Sequence, residues 1–188
     1  MTYAQLKADV ANMVNRSNDP NFDAGLLIGL AGNYLSRAID APEMEVYAVL
    51  KSQSGQIALP VDCTKVLNLA SSDNVEIAYV PRYFLDGFGE KDGGAAVYSI
   101  QGRQILLYPT PEDDAGFPCR YKAQIPKLTD ASPSNWLLEQ YYDLYFYASL
   151  VHSAPFLGED SRIMVWKSLM DEAVADVNKE GRIKLSGN

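Results

Sequence analysis

The chain has 188 residues, of which 47% are hydrophobic and 21% charged, with a formal net charge of −8. That length and balance suit one domain, or one core with a sizeable insertion, and argue against a disordered chain. The acidic excess and scattered Lys and Arg exclude an ordinary nucleic-acid binder, and no apolar run reaches the roughly 18 residues of a membrane span.

The segment Tyr3–Arg16 reads as a helix, because Leu6, Val10, Met13 and Val14 make one apolar stripe. Thr2 and Gln5 have capping-box spacing at its start. Ser17, Asn18, Asp19 and Pro20 then break the chain. A second helix runs from Phe22 or Asp23 to Ile39, with Leu26, Leu27, Leu30, Tyr34, Leu35, Ala38 and Ile39 on its apolar face. Gly25, Gly29 and Gly32 weaken it by roughly 1 kcal/mol each relative to Ala, but allow another segment to approach closely.

From Val46 to Ile125 the pattern changes to β-branched and aromatic runs separated by turn residues. Short strands at about 8–12 residue spacing predict a small antiparallel sandwich or barrel. The stretch AVYSIQGRQILLY is the clearest hairpin, with Gln-Gly near its tip. Pro81–Phe88 reads as a short helix and Lys91–Ala95 as a loop. Helical pattern returns over Trp136–Ser153, apolar nearly all round, which calls for burial on more than one side. Five of the seven residues Tyr141–Tyr147 are aromatic. Pro155 and Gly158 end this helix. A last helix, Glu159–Lys179, carries Ile163, Trp166, Leu169, Met170, Ala173, Val174 and Val177 on one stripe, and Gly181 reads as its stop. The predicted fold class is α+β: a four-helix bundle (residues 1–43 and 132–180) with an inserted small antiparallel β-sandwich or barrel (44–131) and an extended C-terminal tail (181–188).

Few residues carry a chemical signal. His152 is the one histidine and stands beside Ser149 and Ser153. No orienting acid or oxyanion site is near them, so a packed or interfacial histidine is the plainer reading. The glycine-rich stretch from Gly87 to Gly94 misses the GxGxxG spacing and has no GKS or GKT after it, so it reads as a loop. The pairs Asp113-Asp114 and Glu159-Asp160 fit a turn and a helix start. Cys63 and Cys119 belong to no CxxC pattern and read as reduced core residues, neither a disulfide framework nor a metal site. The N-terminus lacks the basic start and apolar core of a signal peptide, which places the chain in the cytoplasm where it is made.

The ordered set of motifs is more specific than any one of them. Asn135, Trp136, Leu137, Leu138, Asp143, Leu144, Tyr145, Tyr147, Ala148, Leu150, Ala154, Pro155, Phe156, Leu157, Asp160 and Trp166 match the C-terminal pattern of phage head-to-tail adaptor proteins. Upstream, Leu59, Pro60 and Asp62 resemble the family's strand entry. Tyr98, Ile100, Gly102, Ile105, Leu107, Pro109 and Pro111 resemble its hairpin. The chain is thus similar, over nearly its whole length, to the podophage-type, tail tubular protein A-like adaptors. Cys63 and His152 depart from the residues usual there.

The resemblance implies a structural virion protein at the head–tail interface, not an enzyme, with no cofactor and no metal. It implies a ring of about twelve copies between the portal protein and the tail tube or nozzle protein. That ring extends the channel through which genomic DNA passes without specific binding, and no membrane is involved. Portal contact falls on Arg182, Ile183, Lys184 and Leu185. Subunit contact falls on Tyr142, Tyr145, Tyr147 and Trp166, and tail docking on Lys91, Asp92, Glu112 and Asp113. Two other classes remain open. One is a carbohydrate- or receptor-binding tail module using Tyr79, Tyr83, Phe84 and Phe88. The other is a hydrolase using Cys63 or Ser149 with His152.

Overall fold

The computed structural model describes residues 1–85, 96–158 and 160–186, with residues 185 and 186 described by backbone alone. Among these are seven α-helices and seven strands. The chain divides into two compact units, Met1–Met44 with Gln124–Asn188, and Glu45–Ala123.

The first unit is helical. Helix α1 (Tyr3–Met13) starts at Thr2, whose hydroxyl accepts from the Gln5 N–H at 3.3 Å. It ends three residues before Arg16, because Asn15 turns to φ 57°; Arg16 N–H then bonds Ala11 O and Asn15 N–H bonds Asn12 O. That pair of bonds is a Schellman cap. Helix α2 (Ala24–Ala38) is capped by the Asp23 carboxylate on Leu26 N–H and buries Leu27, Ile28, Ala31 and Leu35.

The long aromatic helix expected over Trp136–Ser153 is two helices instead, α4 (Trp136–Gln140) and α5 (Tyr142–Val151), and a short α6 (Ala154–Leu157) follows. Tyr141 leaves the helical region at φ −135°, ψ 62°. Pro155 has no N–H to continue the ladder, and Ser153 Oγ donates to Leu150 O at 2.6 Å where α5 ends. Helix α7 (Arg162–Ser186) runs on where the sequence suggested a stop and an extended tail. Gly181 is there for close approach: a Cβ on it would stand 2.6 Å from Asp40 O and 3.3 Å from Ala41 Cα. Within this unit α5 packs against α1, α2, α4 and α7. Residues 124–131, expected with the strands, belong to the helical unit, where Ile125 is buried in the core.

The second unit is one nearly closed sheet in the order β3-β7-β1-β2-β6-β5-β4. Its strands are β1 (Glu45–Gln53), β2 (Gln56–Ala58), β3 (Cys63–Leu69), β4 (Ala78–Tyr79), β5 (Val97–Gln101), β6 (Gln104–Tyr108) and β7 (Gly116–Ala123). The β5–β6 hairpin closes through Gly102 and Arg103, with Gln101 paired to Gln104 and Gly102 at φ 61°. Neighbours are antiparallel except β4, which runs parallel to β5; it is reduced to two residues, and a bridge from Ala70 to Glu76 links the two ends of the sheet. A short helix α3 (Arg82–Leu85) follows β4. Ile57, Leu69, Ile105, Phe117, Cys119 and Tyr121 fill the interior.

Of the three glycines in α2, Gly25 and Gly32 face the hydroxyls of Tyr3 and Tyr145 at 2.7 and 3.0 Å from an added Cβ, whereas Gly29 meets nothing within 4 Å. Gly181→Ala should therefore destabilise the chain by about 1–3 kcal/mol, and Gly29→Ala should stabilise it by about 0.5–1 kcal/mol. Urea unfolding checks both; equal effects would refute the packing assigned to Gly181.

Candidate functional site

The site is built around α5, because its aromatic side chains reach three other segments. Tyr142 donates its phenol to the Asp9 carboxylate on α1. Its ring stacks on Phe146 at 6.2 Å and 12°. These residues, with Asn12, Met13, Asn15 and Arg162, line an open groove of about 520 Å³. Arg162 bonds Asp160 through Nε and Nη2 and gives Nη1 to Met13 O at 3.1 Å, and its guanidinium stands 5.1 Å from the Trp166 ring centre. Tyr141 donates to Glu180 on α7 at 2.7 Å. Tyr145 is interior, and its oxygen accepts from Asn135 Nδ2 at 3.3 Å.

The residues expected to meet a neighbouring subunit therefore separate. Tyr145 and Trp166 are only 2% and 6% exposed. Both are core residues of their own unit. Tyr142 and Tyr147 remain half-buried, packed against that core on one side. Of the C-terminal group, Arg182 and Ile183 are exposed, Lys184 is held by Glu43 at 2.7 Å, and Leu185 lies in the last turns of α7. Glu112 and Asp113 are exposed in the turn before β7, where Asp113 accepts from Ser54 N–H at 2.6 Å. Lys91, Asp92 and Phe88 lie outside the described residues. Tyr79, Tyr83 and Phe84 are exposed, with the last two rings 4.5 Å apart.

The hydrolase candidates have structural roles. Ser149 is fully buried and donates its hydroxyl to Tyr145 O at 2.8 Å. His152 packs edge-on against Tyr34, and burial, then the nearby Arg37, lowers its pKa. Both thiols are free and buried; burial pushes Cys119 up to about 11 and raises Cys63 as well. Thiols so raised are protonated near neutral pH and poor nucleophiles. Among the described residues no cluster of His, Cys, Asp and Glu could hold a metal ion, and no helix is long and apolar enough to cross a membrane.

Sequence reasoning missed two features. The Asp9–Tyr142 bond joins residues 133 positions apart, and no local signal marks it. Asn135 was legible only as part of a motif, although an Asn just before an apolar helical run is itself a capping signal.

The family model of the SU10 adaptor protein matches residues 1–187. No curated protein matches the chain. The match supports a phage adaptor, while the podophage, tail tubular A-like type is not carried by it.

The tyrosine–carboxylate ties give a pH signature. Tyr141 is pushed up to about 12 by its bond to Glu180 and then by burial; Tyr142 is raised by burial and then by its bond to Asp9. Both folded-state values lie above the ordinary 10, so this stabilisation is complete below pH 10 and is lost as pH rises toward 12. The double variant Tyr141→Phe, Tyr142→Phe should be less stable at pH 8 by about 1–3 kcal/mol. Its stability should also fall less steeply between pH 10 and 12. Denaturant unfolding at several pH values decides it, and a decline as steep as the parent's would sink the assignment.

Proposed function

Because the chain belongs to the SU10 adaptor protein family, a structural family of phage adaptors, we propose that its copies form a ring between portal and tail. The ring extends the DNA channel, and the protein's place is the head–tail interface of the virion. The observation that carries this reading is the family match over residues 1–187. The α5 side chains Tyr142 and Tyr147 support it, since each is only half-buried while it packs against the core. Aromatic residues of that kind are enriched at protein–protein interfaces.

In this reading α1, α2, α5 and α7 act as a four-helix bundle and supply the subunit contacts. The end of α7, with Arg182, Ile183, Lys184 and Leu185, meets the portal. Glu112 and Asp113 meet the tail tube or nozzle protein. The net charge of −8 per copy lets DNA slide through without adhering. The exposed aromatic trio Tyr79, Tyr83 and Phe84 favours a second reading, a carbohydrate- or receptor-binding tail module.

The test is the mass of the purified chain with and without its portal ring. A defined multiple of the 20.7 kDa chain bound to portal is the expected result. Tyr142→Ala and Tyr147→Ala should weaken that assembly more than they weaken folding. Failure to associate with portal at any ratio, together with glycan binding by the isolated chain, would overturn the ring in favour of the second reading.

A further inference from the structure

The outward face of β1, β7 and β3 is cationic in a chain whose net charge is −8. Backbone pairing fixes its rows: Glu45 opposite Lys122 opposite Lys65, Tyr47 opposite Arg120 opposite Asn68, and Val49 opposite Pro118. Residues directly opposite share a face, so Lys65, Lys122 and Arg120 stand together, with Lys51 further along β1. The acids facing them are Glu45 and Asp114, the latter 3.8 Å from Lys51. Lys65 and Lys122 stand directly opposite each other on this face. Tyr47 and Val49 are 65% and 56% exposed, and Leu67 lies exposed on β3. An apolar and aromatic centre with Arg beside it is the composition of a protein interface. Val49, Leu67 and Pro118 would give a phosphate backbone nothing to bind.

A second surface has the opposite charge. On α7, Glu172, Asp176 and Glu180 follow one another at four-residue spacing, and all three are exposed. Like charges at i, i+4 destabilise a helix. Glu180 accepts from Tyr141, and Lys179 stands between Asp176 and Glu180 in sequence.

We infer that the cationic β1–β7–β3 face of one copy docks on the acidic α7 stripe of a second copy. The contact is head-to-tail, since two different patches meet, and such contacts generate rings when the rotation closes. This rests on the ring reading above and names one of the surfaces that would hold the ring together. Opposite charges steer the approach, and the apolar centre of Tyr47, Val49 and Leu67 is covered once the copies meet.

Sedimentation of the full chain over a range of concentrations, at about 50 mM and about 500 mM salt, tests it. Wild type should associate at low salt and dissociate at high salt. Lys65→Glu with Arg120→Glu, and separately Glu172→Lys with Asp176→Lys, should each weaken self-association at least about tenfold while thermal unfolding shows a folded chain. An equimolar mixture of the two double variants should associate again, because the acidic face of one meets the basic stripe of the other. Wild type that stays monomeric at every concentration and salt, variants that associate as wild type does, or a mixture that stays apart would each overturn the contact. So would retention of duplex DNA by wild type that is lost in the Lys65→Glu, Arg120→Glu variant, which assigns the face to phosphate. The ring reading is judged separately: portal-bound rings of normal mass formed by the Lys65→Glu, Arg120→Glu variant leave the ring standing and remove this contact from it.

Discussion

The side chain of Asn135 holds the helical unit in register. Its oxygen accepts from Leu138 N–H at 2.9 Å, and its nitrogen donates to Pro126 O at 2.6 Å and to the Tyr145 oxygen at 3.3 Å. A neutral amide is the side chain that can accept on one atom and donate twice from the other; Asp lacks the donors, and Ser lacks the reach. The residue is 7% exposed, so any of these groups left unpaired would carry its full desolvation cost. The constraint spreads from there. Tyr145, held by Asn135, sets the spacing to α2, where its hydroxyl would stand 3.0 Å from a Cβ on Gly32. Ser36, one turn further along α2, accepts the N–H of Ile125 at 3.2 Å. Three polar side chains thus fix how α2, α5 and the returning segment meet inside an otherwise apolar core.

The same logic explains why α5 is rich in tyrosine and not phenylalanine. Each ring fills space in the core, but each phenol with an assigned partner reaches a different element: Tyr141, at the break just before α5, to α7, Tyr142 to α1, Tyr145 to the residue before α4. Phenylalanine would supply the burial without the ties. The break at Tyr141 matters here. A continuous helix would carry consecutive side chains about 100° apart along one straight axis; interrupting it resets the direction of α5 against α4. The apolar pattern alone gave no reason for that break, since it is apolar on both sides of Tyr141.

What could be read in advance follows from the range of the interaction. The cap at Thr2 and the Gly102 hairpin depend on residues within a few positions, and sequence spacing reports them. The end of the last helix could not be read that way. Gly181 is an ordinary helix stop by local chemistry, yet it lies inside α7, where Asp40 and Ala41, far away in sequence, come against it. That Tyr145 and Trp166 are core residues was not legible for a related reason: an amphipathic side chain looks the same in sequence whether it meets a core amide, a cation or another protein. Asn135 meets the Tyr145 phenol and Arg162 covers the face of the Trp166 ring, both inside the chain.

The cationic sheet face was invisible for a different reason. Its charges come from strands that are far apart in sequence, and only the order β3-β7-β1 sets them side by side. The insertion also enters and leaves through two of these strands: β1 begins at Glu45, β7 ends at Ala123, and Glu45 pairs with Lys122. The two chain crossings are therefore tied by a hydrogen-bonded ladder in which β1 faces β7 from Glu45 to Lys51. A ladder of that length resists shear better than a loop contact, because a register slip by one residue would turn every outward side chain inward. Such a slip would bury Arg120 and expose Cys119 and Tyr121, which are 0% and 4% exposed now. The burial that stabilises the sheet interior is thus the same constraint that keeps the cations of its other side in one plane, so the charge pattern needs no rigid scaffold beyond the alternation of the strands themselves.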